Sequence, residues 1–247
     1  MLGMMLLSRV MGGGMALARA ELTGPSLSRL RPKVKETAFT LWKIYIGFTI
    51  IEIFLLGTLG GMSLFDSVNH GFTTMATGGF STRDASIGYY DSLKVEAIII
   101  VFMFFGGINF TLIWFLLARE YVKAFRDEEF KTYLVYIFVA VAVMMVALVT
   151  TNVDLGDSFR QSLFQTISIG TSTGYTTQDY MTWPAVTQFI LMILMIVGAC
   201  AGSTSGGLKL MIIILAFKVA MRELVRIAQP RKIKQIRMNG GVVEPQL

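Results

Sequence analysis

Apolar residues in this chain come in long unbroken runs rather than in a helical or strand period. Ala97–Ala118 and Thr132–Val153 are each 22 residues without a charge, and Tyr180–Leu208 is 29. Ile44–Phe65 is similar apart from Glu52. A helix needs about 20 mostly apolar residues to cross a bilayer. The pattern therefore predicts four spans. The last is too long for one straight crossing, because apolar character resumes after Lys209 and continues to Phe217. Buried core helices are the competing reading of such runs.

Two further stretches are uncharged yet too polar to face lipid: Ser67–Thr82, SVNHGFTTMATGGFST, and Gln161–Gln178, QSLFQTISIGTSTGYTTQ. Each lies between two spans, begins helix-like and ends in Thr, Ser and Gly. Non-helical backbone at membrane depth survives only where it is buried in protein or lines a wet cavity, so both read as re-entrant pore loops. They are also copies of each other. Leu64–Asp84 aligns with Phe159–Asp179 without gaps at an offset of 95, matching Ser67 to Ser162, Gly79 to Gly174, Thr82 to Thr177 and Asp84 to Asp179. Phe80 faces Tyr175. Such a period signals internal duplication, and two spans per copy give both copies one orientation. The expected fold is an all-α membrane protein of two parallel span–pore loop–span repeats, like a potassium channel, with its last span broken by an intramembrane loop.

Composition agrees. Hydrophobic residues make up 54% and charged residues 15% of the 247, against roughly a quarter charged in soluble domains. Disorder is excluded for the same reason. One Cys and one His rule out an intrachain disulfide and a Cys/His metal cluster. The formal charge of +6 is one-sided: seven basic residues precede the first span, four lie in Arg119–Lys131 and seven follow the last span, from Lys218 to Arg237. Only Arg83, Lys94 and Arg160 lie on the opposite side. By the positive-inside rule the basic side is cytoplasmic, and the charge reads as topology and contact with membrane lipid, not nucleic-acid binding. The N-terminal residues Met1–Ala20 are broken by Arg9 and Gly12-Gly13-Gly14, which argues against a cleaved signal peptide.

The loops suggest their chemistry. A desolvated cation needs a ring of oxygens, which backbone carbonyls provide, and glycine permits the dihedrals that aim them. Thr77-Gly78-Gly79-Phe80 and Ser172-Thr173-Gly174-Tyr175 share with the TVGYG filter pattern a leading hydroxyl residue, a central glycine and a following aromatic. Both lack its final glycine. The carbonyls of Thr77, Gly78, Ser172 and Thr173 are the expected potassium ligands, with the ion as transported ligand and no covalent cofactor. Asp66, Asp84, Asp91, Asp154, Asp157 and Asp179 on the outer side form an acidic mouth or simply solvated loops. His70 is expected as a satisfied pore-helix residue.

Gly198-Ala199-Cys200-Ala201-Gly202-Ser203-Thr204-Ser205-Gly206-Gly207-Leu208-Lys209 interrupts the last apolar run. Four glycines and three hydroxyl residues do not favour helix. The spacing fails the phosphate-loop pattern because Leu208 separates Gly207 from Lys209. Small residues for close helix packing are one reading. The other is a gate crossing the pore under the filter, formed by Gly202, Ser203, Thr204, Ser205, Gly206 and Gly207, with Lys209 repelling cations or binding loop carbonyls. Phe105-Gly106-Gly107-Ile108-Asn109 reads as a milder break in the first repeat.

ATGGFSTRDASIGYY (Ala76–Tyr90), MFFGGINF (Met103–Phe110), STGYTTQDYMTWP (Ser172–Pro184) and GACAGSTSGGLKL (Gly198–Leu210) resemble the TrkH family, the membrane subunits of bacterial Trk potassium uptake systems, related to Ktr and HKT transporters. The likeness covers nearly the whole chain. It implies potassium-selective uptake through four span–loop–span repeats, of which this chain matches the second and third. On that frame, residues 1–35 are the tail of a preceding repeat and a linker, 36–130 and 131–221 are the two repeats, and 222–247 a basic cytoplasmic tail. The resemblance further implies a bacterial cytoplasmic (inner) membrane location with several passes, a homodimer, and a cytosolic nucleotide-binding regulatory subunit of the TrkA type. The pore would be completed by missing repeats of the same subunit, or by a second copy in a two-chain, four-quarter channel. An enzyme is disfavoured because no nucleophile–base pair or metal set is present.

Overall fold

The structure, a computed structural model, describes residues 34–228, 237–239 and 241–242. Residues 1–33 of the tail and linker expected over 1–35, and residues 229–236, 240 and 243–247 of the basic tail expected over 222–247, lie outside the described residues.

Helix α1 (Val34–Thr58) opens the first repeat. It stops where Gly61 turns left-handed at φ +68 and where a side chain on Gly60 would stand 2.5 Å from the Leu56 carbonyl oxygen. Ser63 then starts α2 (Leu64–Met75), its hydroxyl accepting the Asp66 amide at 3.1 Å. This cap corrects the apolar run: Leu64 and Phe65 belong to the re-entrant helix, not the span. The second span is split into α3 (Leu93–Gly107) and α4 (Phe110–Leu117), bent by 108°. The break read as mild is therefore sharp. Ile108 is extended, and the Asn109 side chain accepts the Thr111 amide at 2.9 Å, capping a new helix.

A short helix, α5 (Tyr121–Arg126), leads to the second repeat. Helix α6 (Glu128–Val149) is its first span, capped by Asp127 accepting the Phe130 amide at 2.9 Å. The re-entrant helix α7 (Leu155–Gly170) follows, capped by Asp154. The last long run is not one helix. It is α8 (Ala185–Ile196), a non-helical segment, and the amphipathic α9 (Leu210–Ala228). Where the apolar runs predict four spans, two helices among the described residues are long and apolar enough to cross a membrane, three if α3 and α4 count as one span, while α8 has only 12 residues. Beyond α9, β1 (Arg237–Met238) and β2 (Gly241–Val242) pair as an antiparallel hairpin.

The two repeats pack alike. Helix α1 contacts α2 and α3, as α6 contacts α7 and α8. The core lies where the repeats meet, joining Met103, Ile108 and Phe110 to Tyr133, Phe164 and Tyr175. Outward faces remain apolar, with Phe54, Phe138 and Phe189 exposed, as helices facing hydrocarbon require. Arg160 of α7 makes two 2.7 Å bonds to the buried Glu96 of α3, tying repeat to repeat.

Candidate functional site

Both re-entrant helices end at equivalent positions, Met75 and Gly170, and the chain leaves them in the same way. Thr77 and Ser172 are left-handed (φ +50 and +59), and so are Gly79 and Gly174 (φ +66 and +88). The amides of Gly78 and Gly79 both donate to the Thr73 carbonyl, at 2.7 and 3.3 Å. Those of Thr173 and Gly174 both donate to the Ser168 carbonyl, at 2.9 and 3.2 Å. The Thr73 hydroxyl donates to the Phe80 carbonyl at 2.8 Å, and the Ser168 hydroxyl to the Tyr175 carbonyl at 2.7 Å. These bonds repeat one for one at an offset of 95.

The direction of the carbonyls follows. In a planar trans peptide the C=O points opposite to the N–H, and no peptide here is cis. Since the amides of Gly78 and Gly79 point back at α2, the carbonyls of Thr77 and Gly78 point away from it. By the same argument those of Ser172 and Thr173 point away from α7. Oxygens held this way by amides tied elsewhere can replace part of a cation's hydration shell. The two loops also touch: a side chain on Gly79 would lie 1.9 Å from the Thr173 carbonyl oxygen, so glycine is required there by contact as well as by φ. Gly78 is required by neither, which is why Thr173 can take its place in the second loop.

The aromatics differ. Tyr175 is fully buried, its hydroxyl 2.6 Å from Thr73 Oγ1 on the other repeat's helix. Phe80 at the matching position is 77% exposed. His70 is fully buried, donating from Nδ1 to the Asp66 carbonyl (2.7 Å), with Nε2 3.0 Å from the Ser81 hydroxyl. Its ring is saturated, as expected. Of the aspartates expected on the outer side, Asp66 pairs with Arg83 at 3.2 Å and Asp91 with Arg160 at 3.3 Å, while Asp154 and Asp179 cap turns. Structural bonds thus occupy four of the residues read as a cation-attracting mouth.

The non-helical segment after α8 lies against the deep ends of both loops. The Thr77 hydroxyl donates to the Thr204 carbonyl at 2.9 Å, and Ser172 Oγ is 3.5 Å from Ser205 Oγ. Gly206 also faces Ser172. Gly202 and Gly207 are left-handed, at φ +71 and +70. A side chain on Gly198 would lie 2.1 Å from the Gly206 carbonyl oxygen, so the segment folds back closely on itself. The Ser203 hydroxyl donates to the Cys200 carbonyl at 2.6 Å, and the Lys209 ammonium donates to the Ser205 carbonyl. Of the two roles weighed for Lys209, binding a loop carbonyl is the one its position allows directly.

The 108° break in the other repeat is the partner of this segment. The Gly107 carbonyl accepts the Cys200 amide at 3.1 Å, the Gly106 carbonyl accepts the Thr204 amide and hydroxyl at 3.1 and 3.0 Å, and the Phe110 amide donates to the Gly202 carbonyl at 3.1 Å. Sequence reasoning missed this pairing, and missed Glu129, whose carboxylate accepts the Ala201 and Met211 amides at 2.6 and 3.0 Å. Glu129 stands in an acidic triplet at the foot of α6, where a charge reads simply as a cytoplasmic end.

Comparison with known proteins agrees with this architecture. The TrkH family, described as cation transport protein, matches residues 2–247. The chain is 39% identical over 232 residues to the Trk system potassium uptake protein TrkH of Escherichia coli K12, covering 92% of this chain and 48% of that protein. It is 34% identical over 239 residues to TrkG of the same organism, covering 94% and 48%. The crystal structure of the potassium transporter TrkH from Vibrio parahaemolyticus superposes with a TM-score of 0.82 at 37% identity, covering 94% of this chain and 50% of that one. The chain spans about half the length of the curated relatives it matches. With a family match across almost all of its residues and a shared helical architecture, the chain belongs to the TrkH family of membrane cation transport proteins.

Proposed function

We propose that this chain supplies two adjacent quarters of a potassium-selective uptake pore in the bacterial cytoplasmic membrane. The carbonyls of Thr77, Gly78, Ser172 and Thr173 coordinate the ion. Gly79 and Gly174 set the backbone, Tyr175 braces it from behind while Phe80 holds the matching place at the open edge, and residues 202–207 with Lys209 form the gate. The observation that carries this reading is the paired amide geometry: four N–H groups turned back onto two re-entrant helices leave four carbonyls facing away from them.

Two contacts support a ring with further quarters. Tyr175 of the second loop is buried against the first repeat, while Phe80 has no such neighbour. Gly79 packs on the second loop, while the side-chain direction of Gly174 meets nothing within 4 Å. The array is thus open at both edges in complementary ways. Further repeats of the same polypeptide close it, or a second copy does. A homodimer and a nucleotide-binding, TrkA-like subunit on the basic, cytoplasmic face belong to the same reading.

The test is potassium uptake by a cell lacking its own potassium transporters and expressing the protein that contains this chain. Restored growth at low potassium, lost with Gly79→Ser, is expected. Uptake that keeps its potassium-over-sodium preference in both Gly79→Ser and Gly174→Ser overturns the filter assignment.

A further inference from the structure

The N-terminus of α6 carries three successive acids, the cap Asp127 and, in the first turn, Glu128 and Glu129, each with a different attachment. Glu129 is buried, and one of its oxygens, Oε1, accepts the amides of Ala201 and Met211. These amides flank the gating segment: Ala201 precedes Gly202, and Met211 is in the first turn of α9. The first amides of a helix have no partner within it, and a carboxylate there also meets the positive end of the helix dipole. A single side chain from another helix therefore closes the base of the loop.

Asp127 and Glu128 hold the β1–β2 hairpin instead. Asn239, left-handed at φ +50 in its turn, accepts the Glu128 amide at 2.8 Å and donates to Asp127 Oδ2 at 2.6 Å. The preceding residue, Met238, is 2% exposed and packs on Ala201, Met211 and Ile214. The hairpin thus covers the same two residues that Glu129 binds. Lys218 of α9 adds an ion pair to Glu128.

We propose that Glu129 is the positioning residue that holds the gating loop across the pore, and that the hairpin, through Met238 and Asn239, is the lock over it. Pulling the hairpin from the acidic turn exposes the Ala201–Met211 contact and frees the loop. A partner acting on the cytoplasmic side then has a mechanical route to the gate that needs no contact with the pore. This rests on the reading of residues 202–207 as a gate, and the test separates the two.

Cys200, fully buried in the same segment, reports release of the loop. The full-length protein, reconstituted, is exposed to N-ethylmaleimide, and modification of Cys200 is followed by peptide mass spectrometry. Glu129→Ala is expected to speed labelling at least about tenfold, because it leaves the buried Ala201 and Met211 amides without their acceptor. Met238→Ala is expected to speed it in the same direction. Glu129→Gln keeps an oxygen acceptor in place and is expected to label within about twofold of the parent. Unchanged labelling in both Glu129→Ala and Met238→Ala overturns the proposal, as does Glu129→Gln labelling as fast as Glu129→Ala. If Glu129→Ala does not fold, Met238→Ala carries the test alone, since it alters a hairpin outside the spans. Rubidium influx in the same vesicles reads the gate separately: faster labelling with unchanged influx keeps the latch and rejects the gate.

Discussion

The hydroxyl of Tyr175 lies 2.6 Å from Thr73 Oγ1, so the second pore loop is fastened to the re-entrant helix of the first repeat. Thr73 in turn bonds the Phe80 carbonyl, linking both loops through one residue. Tyr175→Phe keeps the ring and removes the fastening. The expected cost is about 1 kcal/mol of stability, with a weakened preference for potassium over sodium. Thermal unfolding in detergent and competition between rubidium and sodium for uptake check the two halves.

Gly79 and Gly174 share a left-handed backbone but not their surroundings. Alanine at either carries a conformational cost of about 1–2 kcal/mol, and at Gly79 it also strikes the Thr173 carbonyl. If a further quarter packs on Gly174 as this loop packs on Gly79, both substitutions abolish uptake alike. Full uptake by Gly174→Ala, beside none by Gly79→Ala, would show that edge uncovered in the working protein.

Arg160 and Glu96 predict a cross-repeat coupling. Glu96 is buried, so Arg160→Met leaves its carboxylate without its cation, at an expected cost of about 3–5 kcal/mol. Glu96→Gln combined with Arg160→Met recovers much of that loss. A double-mutant cycle on melting temperature measures the coupling, and additive effects would rule it out.

Asp66 predicts a response to acid. The Thr82 hydroxyl, at 2.6 Å, and then the Arg83 guanidinium hold its carboxyl below the usual aspartate value. A folded-state value below the unfolded one stabilises the protein above the unfolded pKa and is lost as pH falls through the folded value. Stability from this group is therefore constant from neutral pH down to about pH 5 and falls below about pH 4. Asp66→Asn should lower the melting temperature at pH 7 and flatten the acid limb of its pH profile.

The pore loops were legible because their chemistry is local. Residues 77–80 and 172–175 need left-handed backbone at two fixed places, and Gly79 and Gly174 announce one of them by residue type. Thr77 and Ser172 did not announce the other, since a left-handed hydroxyl residue has no compositional mark. The long apolar runs located the spans but not their ends. Leu64 and Phe65 look like span until Ser63 caps a new helix, and the bend at Ile108–Asn109 looks mild until its free carbonyls find Cys200 and Thr204. Glu129 was illegible for the same reason: both its partners lie more than 70 residues away in sequence.

If residues 202–207 are the gate proposed above, their bonds to the bent span also set the role of water. While the two are joined, the Gly106 and Gly107 carbonyls are satisfied by Thr204 and Cys200, and the Phe110 amide by the Gly202 carbonyl, without solvent. If the segment leaves, these groups stay at membrane depth, where an unbonded peptide group is strongly unfavourable. Opening is then inseparable from hydration, with entering water taking up the partners the segment gives away. A pore built this way responds to osmotic stress: a solute too large to enter draws water out and favours the joined, non-conducting form.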